Sequence, residues 1–103
     1  MKYYDPNTIY CPKDFVTKVE IISKGTEDTV SIAKIIWDKK EHIGIRWNVA
    51  RREWNDVNKC NDKKICVGMP SSHGHPVWFI LPEGLIDITS KEFKDFIDKN
   101  ENP

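Results

Sequence analysis

The sequence has no long apolar run, no excess of charge of either sign and little cysteine, and each lack removes a class of function. Its longest uninterrupted apolar stretch is residues 77–81, far short of the roughly 20 residues that a membrane-spanning helix needs. Lysine plus arginine number 16, aspartate plus glutamate number 16, and the formal net charge is zero. No global basic field therefore draws in nucleic acid or an anionic membrane surface, and such a partner would have to be met by a local patch. The three cysteines have no framework spacing, which points to free thiols in a reducing compartment. Residues 1–6 carry no apolar signal core, so the expected location is cytoplasmic. No motif fixes a reaction, and no cofactor is expected.

What is present suits one small folded domain. A chain of 103 residues with 39% apolar and 31% charged residues can bury enough surface to fold without disulfides or metal. Residues 1–14, with Pro6 and Pro12, form an irregular lead-in whose Tyr3, Tyr4, Ile9 and Tyr10 are available to dock on the body. The β-branched stretch 15–22 is a first strand, followed by a polar turn containing Gly25. Residues 29–37 are a second strand. In its tail Ala33, Ile35 and Trp37 alternate with Lys34 and Ile36, but Val30 and Ile32 are out of phase, which calls for a bulge or for burial on both faces. A charged turn at 38–41 leads into a third strand, 42–48. There Ile43, Ile45 and Trp47 are expected inward, with Gly44, Arg46 and Asn48 outward, so that strands two and three make an antiparallel hairpin.

Beyond Asn48 the composition turns to Arg, Asn, Asp and Lys. Ala50, Trp54 and Val57 recur at helical spacing, which predicts one or two helical turns with Asn48 as N-cap. Residues 64–69 are a fourth strand, 70–76 a loop, and 77–81 the most apolar and hence central strand. The C-terminal helix is announced by Thr89 and Glu92 as a capping box and by Ile88 and Phe93 as a hydrophobic staple, with Phe93, Phe96 and Ile97 as its buried stripe. The expected architecture is α+β and mostly β: a small twisted antiparallel sheet or open barrel of about five strands with one C-terminal helix. It occupies residues 15–99 and leaves 100–103 as a disordered tail.

Two groups of residues carry candidate chemistry. Arg46, Asn48, Arg51, Arg52 and Trp54 combine arginine forks with an indole, the side chains that contribute most to recognition surfaces for protein or nucleic acid. The competing reading has Trp54 capping the sheet edge and Arg51 and Arg52 pairing with Glu53 and Asp56 on a solvated helix. Cys60, Cys66, His73 and His75 are residue types that bind zinc, but a Cys-x5-Cys followed by His-x-His departs from the usual ligand spacing, and Cys66 lies in a strand. Ser71 and Ser72 beside these histidines lack a nucleophile-elbow pattern. The leading expectation is a non-enzymatic binding module that recognises protein or nucleic acid, with no membrane partner. The alternatives are a small metal-dependent or hydrolytic enzyme using His73 and His75, and an assembly subunit joined through exposed sheet edges.

Overall fold

The computed structural model describes all 103 residues. Three eight-residue strands, β1 (Val16–Ser23), β2 (Val30–Trp37) and β3 (Lys40–Trp47), form an antiparallel meander. Two short pieces, β4 (Ser71–Ser72) and β5 (His75–Pro76), make a separate hairpin, and β6 (Phe79–Ile80) closes the main sheet in the order β1-β2-β3-β6. Between β3 and β4 lie a 3-10 helix at Arg51–Asn55 and a single turn, α1 (Val57–Cys60), and the chain finishes in α2 (Lys91–Glu101). The fold is thus α+β, mostly β, an open antiparallel sheet with one C-terminal helix and no barrel closure. No helix is long and apolar enough to cross a membrane.

β2 explains the two phases in its sequence. Its pairing with β3 is regular from Val30↔Trp47 to Trp37↔Lys40, so no bulge interrupts it. Both of its faces are covered instead. Ala33 and Ile35 join Ile9, Val16 and Trp78 on one side, and Val30 and Ile32 join Phe93 of α2 on the other. A strand covered on both faces needs apolar residues in both phases. The register irregularities fall in the β1–β2 pair, between Val16 and Lys18 and between Ile21 and Ser23. Gly44, opposite Ala33, is required by this packing: a Cβ there would collide with the side chains of Ile35 and Trp78. Trp78 in turn donates its indole N–H to the Ile9 carbonyl at 2.9 Å and fastens the lead-in to the sheet.

Several boundaries differ from the expectation. Residues 77–81 are not the central strand: only Phe79 and Ile80 pair, at the sheet edge, while Trp78 and Leu81 turn into the core. Pro76 and Pro82, which have no N–H to donate, bound the stretch on either side and keep any ladder there short. Residues 64–69 make only isolated bridges, Cys66 to Tyr3 and Met69 to Trp47, because Gly68 has a positive φ of 76° and the Val67 and Gly68 N–H groups go to a side chain. The helical turns after β3 start later than expected. Ala50 and Asp56, not Asn48, are their N-caps.

α2 begins one residue late. The Thr89 N–H and hydroxyl both bond the Asp87 carboxylate at 2.9 and 2.6 Å, which leaves Ser90 as N-cap to the Phe93 N–H. Phe93 is buried, but Phe96 is half-exposed. The end of the helix is far from a loose tail. Asn100 is buried; its side-chain oxygen accepts from the Val30 N–H at 3.1 Å, and its NH₂ donates to the Val30 carbonyl and the Ser23 hydroxyl, both at 2.8 Å.

The β2–β3 turn consists of Asp38 and Lys39, at φ 47° and 70°. Two consecutive left-handed residues joining a tight hairpin define a type I′ turn, which favours Asn-Gly. Lys39→Gly removes the steric cost of a side chain at positive φ and is expected to stabilise the fold by about 0.5–1 kcal/mol. A urea titration checks it; an unchanged or lower midpoint contradicts the turn assignment.

Candidate functional site

The five residues expected to form a recognition surface divide between the interior and the exterior. Arg46 is 2% exposed and Asn48 is likewise buried, so neither belongs to a surface patch. Alternation in β3 alone implies one covered face, but the face carrying Gly44 and Arg46 is covered as well. Arg46 lies opposite Ser31. Its Nη1 donates to the carbonyls of Val77 at 2.6 Å and Pro70 at 3.2 Å, and its Nη2 to the carbonyl of Val67. Asn48 accepts from the Ser31 hydroxyl at 2.6 Å and donates to the carbonyls of Lys24 and Thr26. Both residues fasten loops to the sheet.

The counter-charge for Arg46 is Glu53, a buried residue that the sequence had suggested as a surface partner of Arg51 and Arg52. Its carboxylate accepts from the Ala50 and Gly68 N–H groups and from the Val67 N–H, each at 2.8 Å, and from Lys59 Nζ at 2.6 Å. Burial opposes the charge on Glu53, yet the bonds from Lys59, Ala50, Val67 and Gly68 outweigh it and hold the carboxyl below its ordinary range. The same contact raises Lys59. Burial lowers Arg46 to about 10, with the Glu53 charge acting the other way, so the guanidinium stays protonated at neutral pH. Glu53 and Arg46 thus grip the Val67–Gly68 segment through its N–H groups and its carbonyl. Gly68 has no alternative there: a Cβ would meet the main-chain oxygens of Trp47 and Asn48 and the Arg46 guanidinium.

Arg51, Arg52 and Trp54 lie outside. Both arginines are exposed on the 3-10 helix, and neither joins an ion pair. Trp54 is 39% exposed and lines a depression of about 390 Å³ together with Arg51, Trp47, Met69, Glu27 and Asp28. Trp47, expected in the core, is 50% exposed. It stands at the end of β3 on the helix-bearing face, opposite Val30, where α2 does not cover it. A second depression of about 520 Å³ shares Trp47 and Met69 and continues to Phe79 and Phe96, all of them substantially exposed.

Trp47, Met69, Phe79 and Phe96 were missed at the sequence level. The signal for them was dimensional. A single helix is about 10 Å wide, and four strands spaced 4.8 Å apart present a wider face, so one helix leaves apolar positions bare.

The second candidate group does not assemble. Cys66 is buried and bridged to Tyr3, and burial pushes its thiol pKa up, away from nucleophilic use. Cys60 is exposed and gives its S–H to the Trp54 carbonyl at 3.1 Å. His73 and His75 sit on the exposed β4–β5 hairpin, whose turn has His73 at φ 51° and Gly74 at φ 79°. No group of three or more His, Cys, Asp or Glu side chains is placed to hold a metal ion.

The buried carboxylate makes a prediction with a definite sign. Because the Glu53 pKa lies below its ordinary 4.5, its contribution to stability is complete above that value and is lost as pH falls through the lower folded-state pKa. Glu53→Ala is expected to cost about 3–5 kcal/mol, since it strands Arg46 and three N–H groups. Glu53→Gln is expected to flatten the acid limb of stability against pH; urea midpoints over an acid pH series measure it, and an acid limb identical to that of the wild type refutes the assignment. Comparison with family models, curated proteins and solved structures finds no match to this chain.

Proposed function

We propose that the chain is a non-enzymatic protein-recognition module that engages a partner through the depression between Trp47 and Trp54. The observation that carries this reading is the gathering of half-exposed Trp47, Trp54 and Met69 around one cavity, with Arg51 beside them. Aromatic residues, methionine and arginine are the types enriched where proteins meet. Methionine adds an adaptable, polarisable surface. An apolar region continuing past Met69 to Phe79 and Phe96 is the kind that monomeric surfaces seldom carry without a binding role.

The occupant favoured by this lining is a peptide segment of another protein that inserts one large apolar side chain between the indoles. Nucleic acid fits less well. Of the arginines expected to hold phosphates, Arg46 is interior, and Glu27 and Asp28 place carboxylates in the same cavity as Arg51. Stacking a base on Trp54 would bring the backbone phosphates close to those carboxylates, with no net positive charge on the molecule to offset the repulsion.

Selection of a random displayed-peptide library on the folded domain is expected to enrich sequences sharing an apolar anchor. Binding of one synthetic representative should weaken by about 2 kcal/mol, roughly thirtyfold, in Trp54→Ala, and by a similar factor in Trp47→Ala. An oligothymidylate probe at low salt runs in parallel. Its salt-sensitive retention without peptide enrichment would replace the protein reading with the nucleic-acid one.

A further inference from the structure

We infer that β1 is a self-pairing edge, and that two copies of this chain join antiparallel through it with Val19 on the two-fold axis. β1 ends the sheet. None of the main-chain hydrogen bonds outside helices and strands uses residues 17–22, so the outer row of N–H and C=O groups is free to pair. Directly opposed residues in an antiparallel ladder project to one face. The pairs Lys18↔Ile36 and Glu20↔Lys34 therefore put Lys18 and Glu20 on one face, and Val19↔Ile35 and Ile21↔Ala33 put Val19 and Ile21 on the other.

The charges select the register. A two-fold axis normal to the sheet keeps each face continuous, and it must pass through a residue rather than between two. Centred on Val19, it sets Lys18 against Glu20 of the partner subunit, twice by symmetry. Glu20 then lies between Lys34 of its own chain and Lys18 of the partner subunit, and the charges alternate in sign across the joined sheets. Centred on Lys18 or on Glu20, the axis instead sets two like charges face to face. Lysine on an edge ordinarily deters pairing; the glutamate two residues on converts that deterrent into a preference for one register. The zero net charge of the chain leaves no long-range repulsion between copies. The irregularities flanking Lys18–Ile21 keep the straight edge short. The contact therefore falls below the roughly 1,200 Å² of stable complexes, and the dimer is weak and concentration-dependent.

Sedimentation velocity on the full chain over a concentration series tests this, with circular dichroism confirming that each variant is folded. The wild type is expected to pass from monomer to dimer. Lys18→Glu and Glu20→Lys each place like charges opposite one another and should raise the dissociation constant about tenfold or more. An equimolar mixture of the two variants pairs opposite charges again and should recover the dimer. A wild type that stays monomeric at every concentration overturns the inference. So does a dimer indifferent to Lys18→Glu, and if that dimer is lost in Trp47→Ala the contact belongs to the aromatic face instead. Failure of the mixture to recover dimerisation overturns the register.

Discussion

Two opposite charges inside a domain of this size have to be held by many bonds or not buried at all, and the Arg46–Glu53 arrangement meets that demand with main-chain groups. Neither side chain bonds the other directly. Each instead binds the segment running from Val67 to Val77, Glu53 through N–H groups and Arg46 through carbonyls. Apart from the short β4–β5 hairpin the segment has no regular secondary structure, so the polar groups on either side of that hairpin need partners from elsewhere. Every buried side-chain nitrogen and oxygen in the molecule has one. The position of Met69, and with it one wall of the aromatic depression, depends on this frame. So does β6, because Val77 is held by Arg46 just before Phe79 joins β3.

The division between what the sequence revealed and what it concealed follows the range of the interactions. The β2–β3 hairpin is legible because alternation and a charged turn are local signals. The start of the C-terminal helix is legible to within one residue for the same reason. The interior placement of Arg46 is not, because its three acceptors lie more than 20 residues downstream and none is marked by residue type. An arginine alternating with isoleucines reads as outward-facing unless the second face of the strand is known to be covered. Trp47 was misplaced by the converse error: its phase was right, but the helix that covers its face stops short of it. Of the candidate surface, Trp54, Arg51 and Arg52 survive as exposed residues, while Arg46 and Asn48 become the supports beneath it.

Thinness unites these observations. The molecule measures 39 × 33 × 17 Å, a sheet with one helix on one side and an irregular N-terminal segment on the other. Its depressions are open surface features set between side chains. The two depressions beside Trp47, of about 390 and 520 Å³, lie along the helix-bearing face of this slab and share Met69 as a common wall.

The Asn100 side chain bonds Val30 from 70 residues away and Ser23 from 77, and this sets the order in which the chain can be completed. The meander is local and can form early. Its helix-bearing face, however, has no cover until α2 has been made. During vectorial synthesis the nascent chain would therefore present Ile32, Ile43 and Ile45 to the surroundings until α2 emerges, a period when association with chaperones or with another nascent copy is favoured. Phe93 and Ile97 of α2 end this exposure, and the Asn100 amide fixes the helix there by substituting for a missing strand beside Val30.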